Sequence, residues 1–220
     1  MEHHHRRPIV RARFFGPMAA FVGPKKDEPV SYMAPTPSAV RAMLEAIVWR
    51  PSIFWQVLRV YILNPIRWFT VRVNEVDGRA ELGRVLVIEE RRTQRTLVGL
   101  RDVDYIVEAT CAWTPKRHPG EEEIKFISMF QNRLEKGQCH FTPYLGRRDF
   151  PASFEPAPEA FEPPSELKNR TLDLGMMLLD RHYGGQGNVV SEFFHAEIRN
   201  GVLVEKGKDT LPLFCPQPRD

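Results

Sequence analysis

Between Gly137 and Pro151 the chain reads Gly-Gln-Cys-His-Phe-Thr-Pro-Tyr-Leu-Gly-Arg-Arg-Asp-Phe-Pro, which gathers glycines, aromatic rings and two adjacent arginines within fifteen residues. Glycine lets a backbone come close to a ligand, rings stack on nucleobases, and guanidinium forks pair with phosphate. Tyr144, Gly146, Arg147 and Arg148 are therefore candidates for holding a polyanion, although the same residues also suit a turn that only carries surface charge. A second basic group, Arg91, Arg92 and Arg95, lies in a polar stretch and offers forked donors within a short reach. Signatures of metal and nucleophile chemistry are missing: no C-x-x-C, H-E-x-x-H, Walker lysine loop or G-x-S-x-G occurs, so no metal site and no cofactor are expected. His118, His140, His182 and His195 stand alone in the sequence and read as surface or structural histidines. His3, His4 and His5 read as a flexible terminus or a tag remnant.

The surrounding composition is that of an ordinary globular chain. Its 220 residues are 42% hydrophobic and 27% charged, which excludes a fibrous or wholly disordered protein. The most apolar run, Ile53 to Leu63, is broken by Gln56 and Arg59, so no membrane span is expected. Three scattered cysteines and an N-terminus without an apolar core point to a reducing, cytoplasmic location. The net charge of +3 conceals an asymmetry, because residues 1–118 hold 19 basic against 12 acidic side chains and residues 119–220 hold 12 against 16. Of the 31 basic residues 23 are arginine, which favours a polyanionic partner but also follows from a GC-rich genome.

The elements that must position these residues follow from periodicity. Ile9 to Phe15 alternates Val10, Ala12 and Phe14 with Arg11, Arg13 and Phe15, a strand with one wet face. Thr36-Pro37-Ser38 opens a helix with an N-cap threonine and a first-turn proline; Val40, Met43, Leu44, Ile47 and Val48 form its apolar stripe, and Pro51 closes it. Ile53 to Leu63 and Ile66 to Val76 read as strands joined by a tight turn at Asn64-Pro65, followed by an inserted hairpin over about 77–101 with a basic tip. Val103 to Trp113 is the next strand. The acidic turn Glu121 to Glu123 opens a second helix, with Ile124, Ile127, Phe130 and Leu134 inward and Lys136-Gly137 at its end.

A stretch with four prolines and four glutamates from Glu155 to Glu166 reads as a solvated connector, and Asn200-Gly201 folds the final strands into a hairpin. The expected fold class is α+β: an RRM-like, ferredoxin-like domain over 9–154 with an inserted β-hairpin thumb, a flexible extension over 1–8, a linker over 155–168 and a small C-terminal antiparallel sheet over 169–220. Such a fold offers an open β-surface to single-stranded RNA.

Several blocks carry a more specific likeness. Ser31-Tyr32, Thr36 through Pro51, Asn74-Glu75-Val76, Gln94 through Leu97, Leu100 through Tyr105, Lys136 through Cys139, Pro143 through Phe154 and Asp173 through Asp180 resemble, in this order, the CRISPR-associated Cas family-five proteins, and the type I-C branch fits best. The resemblance implies a Cascade subunit that grips the five-prime handle of CRISPR RNA beside backbone and large subunits, with target DNA a partner of the assembled complex. It also implies metal-independent cleavage of precursor RNA, a reaction that needs a base for the 2′-hydroxyl, a cation for the phosphorane and an acid for the leaving oxygen. Where the family pattern has an aromatic or histidine before Trp-basic-Pro, this chain has Val48 before Trp49-Arg50-Pro51. Where it has Lys-His, this chain has Lys125-Phe126. Lys125 then remains as a stabilising cation, with His118 or His140 as substitutes for the lost base. Three readings follow: a handle-binding subunit, an active processing endoribonuclease with a rearranged site, and a stand-alone single-strand RNA-binding protein of RRM type.

Overall fold

A computed structural model describes residues 7–23, 29–76, 83, 87, 92–183 and 189–213. In chain order the elements are β1 (Val10–Ala19), α1 (Pro37–Ile47), β2 (Ile53–Ile62), β3 (Arg67–Val76), β4 (Arg92–Trp113), α2 (Glu123–Glu135), β5 (Ser153–Pro156), β6 (Thr171–Tyr183), β7 (Val189–Arg199) and β8 (Val202–Glu205). They make a mixed α/β protein with a largely antiparallel sheet and two helices. The sheet order is β5-β1-β4-β2-β8-β7-β6, with β3 paired to β4. Two β-α-β units, β1-α1-β2 and β4-α2-β5, thus interleave in its first four strands.

The alternation in β1 has the expected result. Val10, Ala12 and Phe14 are buried, while Arg11 is exposed and Arg13 and Phe15 are half-buried. Helix α1 begins as its sequence dictates: the Thr36 hydroxyl accepts the Ala39 N–H at 3.3 Å, Pro37 follows, and Val40, Met43, Leu44 and Ile47 enter the core. In α2 the inward stripe is shifted by part of a turn. Ile124 is 54% exposed, and Phe126 takes the core position, flanked by Ile127, Phe130 and Leu134. Phe126 meets the edge of Trp113 at 6.0 Å and Phe130 meets Trp55 at 4.9 Å, so ring packing against the sheet decides which face turns inward.

Asn64-Pro65 does not reverse the chain. β2 pairs with residues 105–113 of β4 and β3 with residues 92–101 of the same strand, both antiparallel, so β3 continues β2 along one edge of β4. The 22-residue β4 is therefore one strand where the sequence reads a hairpin limb and a separate strand. It is broken only locally, at Asp102, whose φ of 54° is stabilised by the Asn64 side-chain amide donating to the Asp102 carbonyl at 2.7 Å.

The C-terminal strands do not form a detached sheet. β8 pairs with β2 through Val60↔Leu203 and Tyr61↔Val202, and the β7–β8 turn has positive φ at both Asn200 and Gly201, as a two-residue hairpin requires. Nor is the proline-rich connector wholly solvated. After β5 it carries Phe161 onto the Tyr61 ring at 4.8 Å, and Leu167 is buried. Among the described residues no helix is long and apolar enough to cross a membrane.

Candidate nucleic-acid interface

The sheet face away from the core stripe of β1 is occupied by its own charges. Arg11 donates to Glu108 at 2.6 Å, Arg59 donates to the other oxygen of Glu108 at 3.1 Å, and Arg13 donates to Asp104 at 2.6 Å and also to Glu155. Burial alone would raise the Glu108 carboxyl pKa, yet hydrogen bonds from Arg11, Arg59 and Tyr61 hold it below the usual carboxylate range. Ile106, cross-strand from Tyr61 on this face, is fully buried. An open β-surface for RNA is thus not what this face presents: ion pairs cancel its arginines and Phe161 lies on Tyr61.

The loop from Tyr144 to Pro151 is a clamped presenter. The Leu145 N–H donates to the Phe150 carbonyl at 2.7 Å, the Phe150 N–H returns to the Arg147 carbonyl at 3.0 Å, and the Ala20 N–H ties the loop to the end of β1 through the Leu145 carbonyl at 3.0 Å. Leu145 and Phe150 point into the core, which leaves Arg148 exposed and Arg147 half-buried beside Asp149 at 3.2 Å. Gly146 has a φ of 86°, and a Cβ there would collide with the Ala20 carbonyl. Its role is therefore close backbone approach within the protein. Phe141, Thr142, Pro143, Tyr144, Arg148 and Pro151 enclose an open cleft of about 430 Å³.

The basic ribbon is less convergent than its sequence implies. Cross-strand register puts Arg95 opposite Val73 and Arg92 opposite Val76, and an odd spacing along one strand sends the two arginines to opposite faces. Arg91 lies outside the described residues. The six basic residues of the sequence reading therefore do not form one surface: Arg92 and Arg95 diverge on the ribbon, Arg147 and Arg148 share the clamped loop, and Lys125 sits in the first turn of α2.

Around Lys125 a small cluster does assemble. The Glu121 carboxylate accepts the backbone N–H of His118 at 3.1 Å, the Glu121 carbonyl accepts from the Arg117 guanidinium at 2.9 Å, and that guanidinium lies 4.0 Å from the centre of the Trp113 ring. Hydrogen bonds from the Ser52 side chain and the His118 backbone lower the Glu121 carboxyl pKa, and Lys125 contributes in the same direction. Lys125 itself is exposed, with its ammonium 5.8 Å from the Phe126 ring centre. Thr114 fastens this loop to the α1–β2 loop by donating its N–H to the Ser52 carbonyl at 2.9 Å and its hydroxyl to the Pro51 carbonyl. That second loop carries Trp49, 57% exposed, and Arg50.

Neither replaced position belongs to this surface, since Val48 is 0% and Phe126 1% exposed. His140 also falls elsewhere. Its N–H donates to the Ala46 carbonyl at 2.8 Å, beyond the far end of α2, and ten residues of helix put about 15 Å of axis between Lys125 and Glu135. The sequence reading missed Arg117 and Glu121, although their adjacency to His118 and Lys125 was the available signal. Among the described residues no three His, Cys, Asp or Glu side chains gather into a metal-holding group.

The class the fold defines is a mixed α/β protein with a largely antiparallel sheet and two helices, carrying a clamped arginine loop, and comparison with known proteins gives its family. The family model described as CRISPR-associated protein (Cas_Cas5) matches residues 9–203, and the chain belongs to this Cas5 family, in its type I-C branch. A curated protein of Mannheimia succiniciproducens named CRISPR pre-crRNA endoribonuclease Cas5d is 39% identical, covering 94% of this chain and 97% of that one. The protein of the same name from Thermus thermophilus is also 39% identical, over 88% and 90% of the two chains. Among solved structures, one called a CRISPR-associated protein superposes with a TM-score of 0.70 at 21% identity, covering 94% of this chain and 95% of that one. A functionally uncharacterized protein, SMU1763c from Streptococcus mutans, gives 0.68 at 20% identity, covering 96% and 93%. These two likenesses concern the fold.

Proposed function

We propose that this chain is the CRISPR RNA-binding subunit of a type I-C effector complex, holding the five-prime handle of the RNA on an RRM-like body. The observation that carries the reading is the clamped loop, which presents Arg147 and Arg148 from a rigid backbone beside the cleft of Phe141 and Tyr144. Arginines for phosphate next to rings for bases are what a protein needs to hold a single strand without pairing it. The β3–β4 ribbon serves as the thumb, contacting RNA or a neighbouring backbone subunit through Arg92 and Arg95. Large and backbone subunits are its partners in the cytoplasm, and target DNA meets it in the assembled complex.

A second reading, cleavage of the precursor RNA, is favoured by the names of the two curated relatives and by the exposed Lys125 and His118. The stand-alone RRM reading is disfavoured, because the face such a protein would use is filled by the Arg11, Arg13, Arg59, Asp104 and Glu108 pairs. Arg147→Ala with Arg148→Ala should weaken handle binding and flatten the slope of log affinity against log salt by about one unit for each phosphate the loop no longer neutralises. Filter binding across a salt series measures this, and an unchanged slope would remove the loop from the RNA site.

A further inference from the structure

After β5 the chain crosses one face of the sheet. Pro156 still pairs with Ala12 of β1, Phe161 reaches the Tyr61 ring of β2 at 4.8 Å, and Pro163 lies over the β7–β8 turn, where it would meet a Cβ on Gly201. The path therefore runs transverse to the strands, from β1 past β4 and β2 to β8. Register puts Arg11, Arg13, Ile106, Glu108, Arg59 and Tyr61 on the face that it crosses, away from the core stripe. Ile106, in the middle, is 0% exposed, so the face is closed to solvent there.

The crossing is held by side chains alone. The ladder to β1 stops at Pro156, and among the described residues the backbone of 157–163 forms no hydrogen bond with the sheet. What the segment presents copies a strand of nucleic acid. Phe161 puts a ring against Tyr61, the place a base would take. On Arg13, Nε and Nη2 are held by Asp104, and Nη1 donates to the Glu155 carboxylate, the place a phosphate would take. Arg11, Arg13 and Arg59 outnumber Asp104 and Glu108, and Glu155 makes up the balance. Glu159 and Glu162 flank an open cleft of about 680 Å³ beside Arg11, whose side chain stays 52% exposed although it pairs with Glu108.

We propose that residues 155–163 are a strap lying in a second single-stranded RNA site on the β1–β4–β2 face, which it keeps shut against RNA of any sequence. The site goes beyond the handle reading and uses none of the loop residues Arg147 and Arg148. Opening breaks one ring contact and one ion pair. It frees the Tyr61 ring for a base and turns Arg11 and Arg13 to phosphates, while Glu108 and Asp104 keep both guanidiniums in place.

The test is binding of oligouridylate, a strand without a handle sequence, to the full chain. Phe161→Ala leaves the net charge unchanged and should tighten binding about fivefold, the lower end of what one base stacked on an aromatic ring contributes. Tyr61→Leu in that background should return the affinity to the parent value, and Arg147→Ala with Arg148→Ala should leave the gain from Phe161→Ala intact. Should Phe161→Ala fail to fold, Glu159→Gln takes its place beside Glu166→Gln, a control of equal charge change outside the crossing segment, and only Glu159→Gln should tighten binding. Unchanged affinity in the loosened strap, a gain that survives Tyr61→Leu, or equal gains from Glu159→Gln and Glu166→Gln overturn the proposal. So does a gain that disappears with Arg147 and Arg148, because it then belongs to the loop. An unchanged salt slope for handle RNA in the Arg147 and Arg148 variant overturns the handle reading, whereas a fivefold gain reversed by Tyr61→Leu upholds the strap in either case.

Discussion

Glu108 shows how a single carboxylate sets the character of a whole face. Its side chain is nearly buried in β4, yet it accepts from both Arg11 and Arg59, so the folded state holds it ionised. Its folded pKa lies below the unfolded value, so the stability it provides is present above the unfolded pKa and is lost as pH falls through the folded one. Glu108→Gln should cost about 1 to 3 kcal/mol at neutral pH, the usual penalty for leaving a buried partner half-satisfied. It should also flatten the fall of stability below about pH 4.5, an unfolded-state value typical of glutamate. Urea denaturation at neutral and acidic pH measures both effects. Phe126 makes the opposite case: a histidine there would be buried against Trp113 rather than offered to RNA. Phe126→His should therefore destabilise the fold by about 2 to 4 kcal/mol and bring no gain in cleavage, checked by thermal melting and a cleavage assay on precursor RNA.

At the scale of elements, β1 and the loop after α2 are joined at a point that only one residue type satisfies. Gly146 has a positive φ and lies against the Ala20 carbonyl, so an added Cβ meets backbone that cannot turn aside. Gly146→Ala should destabilise the protein by about 1 to 3 kcal/mol. It should also weaken RNA binding more than its distance from solvent implies, because Arg147 and Arg148 depend on the same backbone clamp. Melting temperature and handle affinity, compared in the same variant, test that coupling. The β3–β4 ribbon obeys a simpler rule of parity. Any pair of its arginines at odd spacing faces two directions, so substitutions at Arg92 and Arg95 should affect different partners, not one.

The whole molecule is organised by β4 and β2, to which both halves of the chain attach. Because β8 pairs with β2 and Asp180 of β6 receives Arg41 of α1 at 2.9 Å, the C-terminal strands share the sheet and the helix layer with the rest. Unfolding should accordingly be a single transition, coincident by far-ultraviolet circular dichroism and tryptophan fluorescence. Two separated transitions would instead favour the reading of residues 169–220 as an independent subdomain.

Local chemistry could be read directly from residue order. Thr36-Pro37 starts α1 and Asn200-Gly201 turns the last hairpin, because caps and tight turns need only neighbours in the chain. The arginine loop and the family blocks were legible for the same reason, being contiguous. What residue order did not contain was where distant segments meet. Asn64-Pro65 looks like a reversal until β4 offers one long edge to both β2 and β3. Ile124 and Phe126 are both apolar, and only the rings of Trp113 and Trp55 in the sheet decide the turn of α2 by which Phe126 is buried. His118 and His140 are equivalent as isolated histidines. The long axis of α2 separates them: His118 precedes the helix, its backbone N–H on the Glu121 carboxylate, and His140 follows the far end, its backbone N–H on the Ala46 carbonyl.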